Sequence, residues 1–217
     1  MDKKNSLINL GCRLNIYESE IIKNHLNNNN IKNVTVINSC AVTAEAEKKV
    51  AYEIRKAKRT NPENKIIVTG CAAQINPKKY HTIKEVDLVL GNKEKLLTEV
   101  WNNLNFSQQI QVEDMLLEKK TVPSKIEKFD GKSRAYIEIQ QGCDHRCTFC
   151  IIPYGRGNNR SVPAGEIVDR IKKIVKNGYK EVVLTGVDIT DYGKDLPAQP
   201  TFSNLIKRII KLVPDLE

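Results

Sequence analysis

Between Ser6 and Leu90 the chain holds four short apolar runs without polar alternation, separated by segments of helical spacing. The runs are Ser6-Leu7-Ile8-Asn9-Leu10, Val34-Thr35-Val36-Ile37, Lys65-Ile66-Ile67-Val68-Thr69 and Val86-Asp87-Leu88-Val89-Leu90. Helical segments are predicted from about Tyr17 to Leu26 and from about Ala44 to Arg59. A strand that shows neither face to water needs apolar residues in succession. The pattern therefore predicts parallel strands covered on both faces by crossover helices. The expected fold is α/β, with a doubly wound parallel sheet.

A cysteine follows each of the first three runs, as Gly11-Cys12, Ser39-Cys40 and Gly70-Cys71. The intervals of 28 and 31 residues each match about one βα unit. In an open parallel sheet, the loops leaving the carboxyl ends of the strands line one edge, where ligands bind. Three cysteines distant in sequence are thus expected on one rim. Free cysteine is also a common buried apolar residue. Three in equivalent positions argue against that blander explanation.

From about Asn105 to Ser133 the rhythm is lost, with a strand expected near Ile110 to Leu117 and a domain boundary near Pro123. The two predicted domains are residues 1–122 and 123–217. The second opens on a strand, Ala135-Tyr136-Ile137-Glu138-Ile139, that runs into Cys143-Asp144-His145-Arg146-Cys147-Thr148-Phe149-Cys150. Pro163 suits a first helical turn. Ile167, Val168, Ile171, Ile174 and Val175 share one face of that helix, which Gly178 ends. A second strand spans Glu181 to Gly186, followed by a helix with Leu205, Ile206, Ile209, Ile210 and Val213 inward and Pro214 beyond it. This order, β–loop–α–β–loop–α, opens a (βα) barrel or partial barrel. Two parallel strands cannot close one, so the sequence reads as the first part of a longer protein.

The thiolates of CX3CX2C suit iron–sulfur clusters, zinc or cuprous ion. Three of them leave a four-iron cluster with one open iron, and an open position is where a metal site meets its substrate. Zinc, with His145 as a fourth ligand, is the rival, although structural zinc sites usually present two separated ligand pairs. His25 and His81 carry no motif. The chain has six cysteines, no secretory leader and no run long enough to span a membrane, so metal binding in the cytoplasm is expected over disulfides. The net charge of +9 is spread along the chain, with 19 basic and 14 acidic residues up to Val122 and 16 and 12 beyond it. That leans toward an anionic partner such as RNA. The helix with Lys48, Lys49, Arg55, Lys56, Lys58 and Arg59 could meet phosphates, or be a solvated face interspersed with Glu45, Glu47 and Glu53. Arg156 and Arg160, just past the cysteine loop, are the better candidates for an anion contact, with a local ion pair as the alternative.

From Cys143 onward the sequence resembles the radical S-adenosylmethionine enzymes, whose signature is CX3CX2C with an aromatic before the last cysteine, here Phe149. The resemblance implies that Cys143, Cys147 and Cys150 hold a [4Fe-4S] cluster whose fourth iron is chelated by S-adenosyl-L-methionine. One electron then cleaves the cofactor to a 5′-deoxyadenosyl radical. Gly186-Val187-Asp188 loosely matches a family segment contacting the methionyl amine, which makes Gly186 and Asp188 candidate cofactor contacts. Phe149 and Tyr154 are candidates to flank the adenine, with ordinary packing as the alternative.

The whole chain is similar to the methylthiotransferases, on Leu10-Gly11-Cys12 with Asn15 and Tyr17-Glu18-Ser19-Glu20, Asn38-Ser39-Cys40-Ala41-Val42-Thr43 and Thr69-Gly70-Cys71-Ala72-Ala73-Gln74. The similarity implies that Cys12, Cys40 and Cys71 ligate a second [4Fe-4S] cluster whose open iron carries the sulfur to be inserted. Gly142 to Gly157 and Gly186 to Gly193 look like the class that adds a methylthio group to C2 of N6-threonylcarbamoyladenosine beside the tRNA anticodon. The implied partners are the tRNA anticodon stem-loop and a low-potential electron donor such as flavodoxin or ferredoxin. The class acting on isopentenylated adenosine is the runner-up, and a non-catalytic iron–sulfur-binding remnant or split-protein piece is the third reading. The family's later barrel strands and its C-terminal RNA-binding domain are not in this sequence.

Overall fold

The computed structural model describes residues 5–41, 44–122, 126, 129, 131 and 133–216. Val42 and Thr43 of the second cysteine motif, and the expected boundary at Pro123, lie outside them.

The first unit is a five-stranded sheet with every neighbouring pair parallel: β1 (Ser6–Asn9), β2 (Val34–Ser39), β3 (Lys65–Gly70), β4 (Leu88–Leu90) and β5 (Ile110–Gln111). The strands lie in sequence order across it, so their common carboxyl edge, not a reversal of order, defines the ligand rim. The strand expected near Ile110 to Leu117 is only two residues long, and Met115–Leu117 is a 3-10 turn.

Helices cover both faces. On one side α1 (Arg13–Asn28) buries Ile22 and Leu26 against Val34, Val36 and Ile67. On the other, α2 (Ala44–Thr60) buries Val50, Ile54 and Ala57 against Ile37, Ile66 and Val68. Successive residues of β2 and β3 thus feed opposite cores, which is why these strands read as unbroken apolar runs. Short helices α3 (Cys71–Ile75) and α4 (Pro77–His81) follow β3, and α5 (Thr98–Asn102) carries the buried Trp101. His25 is a core histidine, stacked on Trp101 with ring centroids 6.0 Å apart.

The second unit pairs β6 (Arg134–Glu138) in parallel with a strand at Glu181–Thr185. Between them lie β7 (Gln140–Gln141), α6 (Ile152–Arg156), β8 (Arg160–Ser161) and α7 (Ala164–Lys176); the Glu181–Thr185 strand is β9, and α8 (Phe202–Leu212) follows it. The two βα units expected of a partial barrel are β6–α7 and β9–α8. The antiparallel β7–β8 pair and α6 were not anticipated. On α7, Ile167, Val168, Ile171 and Ile174 are buried, each contributing about 1.5–3 kcal/mol over exposure.

Tyr17 and Ile21, on the side of α1 turned away from the first sheet, share one core with Ile137, Ile139, Ile167 and Ile171. One helix thus serves two sheets and brings the units together beside the cysteines.

Candidate metal centre

The register of the sheet places the first triad. Ser39 pairs with Gly70, so Cys40 and Cys71 leave adjacent strands at the same level. Gly70 has φ +93°, and a Cβ there would overlap the Ser39 carbonyl oxygen. Only glycine makes this turn, which swings Cys71 into the first position of α3. Cys12 is the residue that caps α1, with its Sγ 3.5 Å from Asn15 Oδ1. Cys71 is buried, Cys40 half-buried and Cys12 exposed.

Behind this rim lies a buried polar network that the sequence motifs only outlined. All five N–H groups of Arg156 are used. Its Nε donates to Cys71 Sγ at 3.1 Å; Nη1 donates to Glu18 Oε1 and to Gln141 Oε1 at 3.2 Å. Nη2 donates to Asn15 Oδ1 at 2.5 Å and Glu18 Oε2 at 3.1 Å. Lys95 is equally enclosed, donating to Glu18 Oε2 and Asn92 Oδ1 at 2.7 Å each and to Asn38 Oδ1 at 3.3 Å. Asn92 Nδ2 reaches Gly155 O at 2.6 Å and Cys71 Sγ at 3.8 Å. Burial alone would raise the Glu18 carboxyl, but Arg156 and Lys95 outweigh it and hold that group below its usual range.

Arg156 therefore does not offer its charge to a nucleic acid; it forms the ion pair, with a partner 138 residues away in sequence. Arg160 is also buried and donates to the carbonyls of Asn158 and Arg156. On α2, the acidic residues do engage: Lys56 pairs with Glu53, and Glu47 binds Lys79 of α4. This favours the solvated-face reading of that helix.

The second triad sits on the loop after β7. Gly142, with φ +72°, brings the chain against the Asn158 carbonyl. Cys143 N then donates to Gly157 O at 3.0 Å, and Cys150 N to Cys147 O at 3.0 Å. Arg146 braces the loop from outside, donating to Cys143 O at 2.9 Å and Asn158 Oδ1 at 2.5 Å. Gln140 ties this loop to the one after β9. Its amide nitrogen donates to Gly142 O at 2.6 Å and Asn159 Oδ1 at 2.7 Å, while its oxygen accepts from Val187 N at 2.8 Å and Asp188 N at 2.9 Å. Gly186 and Asp188 are thereby held beside Cys143.

Asp188 Oδ2 is 3.7 Å from Cys143 Sγ and 3.2 Å from His145 Nε2. A hydrogen bond from Thr190 leads in lowering the Asp188 carboxyl pKa, whereas burial, then the Asp188 charge, raises that of the Cys143 thiol. Tyr154 is more than half exposed and Phe149 is 91% exposed, so neither packs in the core.

A single zinc ion needs its ligands about 3.8 Å apart, from tetrahedral bonds near 2.3 Å. Among the described residues the trio of donor atoms within 4.8 Å of one another is Cys143, His145 and Asp188, which draws on one thiol of CX3CX2C only. Multi-iron clusters spread their thiolates more widely. The charge balance also suits an anionic cluster, since Arg156 and Lys95 face the single low-lying carboxylate of Glu18 next to Cys71. Each cysteine group offers three free thiols, the donor type that an iron–sulfur cluster takes.

Comparison with known proteins agrees with this layout. Residues 4–91 match the model described as uncharacterized protein family UPF0004, and residues 137–214 match the radical SAM superfamily. "Threonylcarbamoyladenosine tRNA methylthiotransferase MtaB" of Rickettsia prowazekii is 54% identical over 99% of this chain and 50% of that protein. The protein of the same name from Aquifex aeolicus is 37% identical over 86% of this chain and 48% of its own length. A "tRNA-2-methylthio-N(6)-dimethylallyladenosine synthase" of Desulfotalea psychrophila is 33% identical over 92% of this chain and 49% of that protein. The chain spans about half the length of the curated relatives it matches. The solved radical S-adenosylmethionine methyltransferase TsrM from Kitasatospora setae superposes with TM-score 0.58 over 99% of this chain and 54% of that one. At 11% identity that likeness speaks for the fold alone. The chain thus carries a UPF0004 match followed by a radical SAM match, and it aligns with the N-terminal half of the tRNA methylthiotransferases it resembles.

Proposed function

We propose that this chain supplies both metal-binding loops of a tRNA methylthiotransferase that adds a methylthio group to C2 of N6-threonylcarbamoyladenosine beside the anticodon. The supporting observation is the juxtaposition of the two cysteine groups. Arg156, six residues past Cys150 of one group, donates directly to Cys71 of the other. Sulfur insertion needs a radical source and a sulfur carrier within reach of one substrate, and α6 joins the two sites by a single short helix.

Cys143, Cys147 and Cys150 would hold one [4Fe-4S] cluster and Cys12, Cys40 and Cys71 the other. With S-adenosyl-L-methionine bound, the first would supply the electron for reductive cleavage of that cofactor. The residues of this chain orient and shield. Gln140 fixes the loop after β9; there Asp188 would offer a carboxylate, and Gly186 its backbone, to the cofactor's amino group. Phe149 and Tyr154, both exposed, would flank the adenine. The substrate tRNA, a flavodoxin- or ferredoxin-type donor and a cytoplasmic location complete the reading. Among the described residues no helix is long and apolar enough to cross a membrane.

Anaerobic reconstitution tests it. The chain is expected to load about eight irons, and about four when either triad is changed to alanine. Zinc uptake without sulfide would overturn the cluster assignment. Mass analysis of tRNA nucleosides, from cells lacking their own methylthiotransferases and expressing the protein, separates the substrate classes. The methylthio form of threonylcarbamoyladenosine is expected; that of isopentenyladenosine would transfer the chain to the other class. Full iron loading with neither nucleoside would identify a non-catalytic cluster-binding piece.

A further inference from the structure

The network behind Cys71 holds more positive than negative charge. Arg156 and Lys95 both face Glu18, and all three side chains are sealed from solvent. Glu138, the neighbouring carboxylate, accepts a hydrogen bond from Gln141 Nε2 at 2.7 Å instead. The geometry divides the guanidinium between two tasks. Its Nη atoms grip Glu18, Asn15 and Gln141, which leaves the Nε–H aimed at Cys71 Sγ at 3.1 Å. A lysine, as a single point charge, could not hold the carboxylate as a fork and also present a fixed N–H to sulfur. Asn92 adds a weaker donor to the same sulfur while binding Gly155 of α6.

We propose that Arg156 is a positioning residue for the N-terminal cysteine triad, raising the reduction potential of the cluster held there and making that site depend on a residue from the radical SAM unit. The inference rests on the assignment of Cys12, Cys40 and Cys71 as cluster ligands. Reduction adds an electron to an already anionic group. A buried cation and an N–H···S hydrogen bond stabilise the added charge, and so favour the reduced form.

The test uses the full 217-residue chain with Cys143, Cys147 and Cys150 changed to alanine, so that one cluster remains. Its potential is read by a redox titration followed by electron paramagnetic resonance. Arg156→Gln is expected to lower the reduction equilibrium constant about tenfold, which for one electron is ~59 mV. Arg156→Lys, which keeps the charge and loses the fork, is expected to give a smaller fall. Because Arg156→Gln leaves Glu18 without a main partner, Glu18→Gln with Arg156→Gln removes the pair together and is read alongside it. That double variant must also show the lowered potential. An unchanged potential in either variant, with four irons bound, overturns the proposal. Absence of a four-iron cluster in the parent chain is a different result, read before any titration, and overturns the ligand assignment instead.

Discussion

Lys95 Nζ lies 2.7 Å from Glu18 Oε2, and neither side chain touches solvent. The pair links α1 to the loop after β4, and through Glu18 it meets Arg156 of α6. Two buried cations therefore depend on one carboxylate. Glu18→Gln is expected to destabilise the fold by about 3–5 kcal/mol, because removing one partner strands buried charge. Urea denaturation checks this. The Glu18 carboxyl is lowered from 4.5 by its cations, against the pull of burial. Its contribution is thus present above the unfolded value and is lost as pH falls through the folded one. The difference between parent and Glu18→Gln should accordingly shrink in acid.

Glu138 has the opposite sign. Burial, then repulsion from Glu18, raises its pKa from 4.5 to about 7. The unfolded chain loses this proton first, so folding is penalised increasingly as pH climbs from about 4.5 toward 7. The gap corresponds to roughly 3 kcal/mol once fully developed. Glu138→Gln keeps the shape and cannot ionise. It is expected to match the parent near pH 4 and to exceed it in stability by up to that amount near pH 8. Parallel urea titrations across this range would show it; a pH-independent difference would contradict the assignment.

Gly70 offers a test of how the first triad is placed. Its φ of +93° and the adjacent Ser39 carbonyl leave no room for a methyl group. Gly70→Ala is expected to cost roughly 2–5 kcal/mol, from an unfavourable backbone region plus the overlap. Since the strain falls one residue before Cys71, iron loading at the first triad should drop while the second triad still takes its share. Thermal melts and iron counts on the two single-triad chains separate these effects.

These sites show what the sequence could and could not convey. Strands β1 to β4 were legible because residues such as Val36 and Ile37 serve opposite cores, and no polar alternation is possible there. The common rim of Cys12, Cys40 and Cys71 followed from the same repeat. Arg156 was legible as a charged residue near a functional loop, but its burial depends on Glu18, far away in sequence, and no local spacing encodes that. Lys95 and Asn92 stand in no periodic pattern at all. The signal for Lys95 was indirect, in that its partners Glu18 and Asn38 stand close to Cys12 and Cys40 in sequence. The β7–β8 pair escaped notice because Gln140–Gln141 and Arg160–Ser161 are short and polar. What holds them is backbone pairing and amide side chains, not apolar burial.

Gln140 is the clearest of these amides, and it carries the last prediction. It sits at the end of the first barrel strand, fully buried, with donors and acceptors on the two loops that would meet at the cofactor. Gln140→Leu leaves Gly142 O, Val187 N and Asp188 N without their side-chain partner. Each orphaned buried group costs about 1–3 kcal/mol, although relaxation toward water would recover part. Gln140→Glu retains an acceptor for Val187 and Asp188 but sets a carboxylate against three oxygens, those of Gln141, Gly142 and the Asn159 side chain. It should therefore be less stable at pH 8 than at pH 5, where protonation restores one donor. Both changes act on the loop of Cys143 and on Asp188, 45 residues apart in sequence. Iron held by the CX3CX2C triad should become labile to chelator, while iron at Cys12, Cys40 and Cys71 should be unaffected. Equal loss from both triads would show that Gln140 supports the fold as a whole and not this loop.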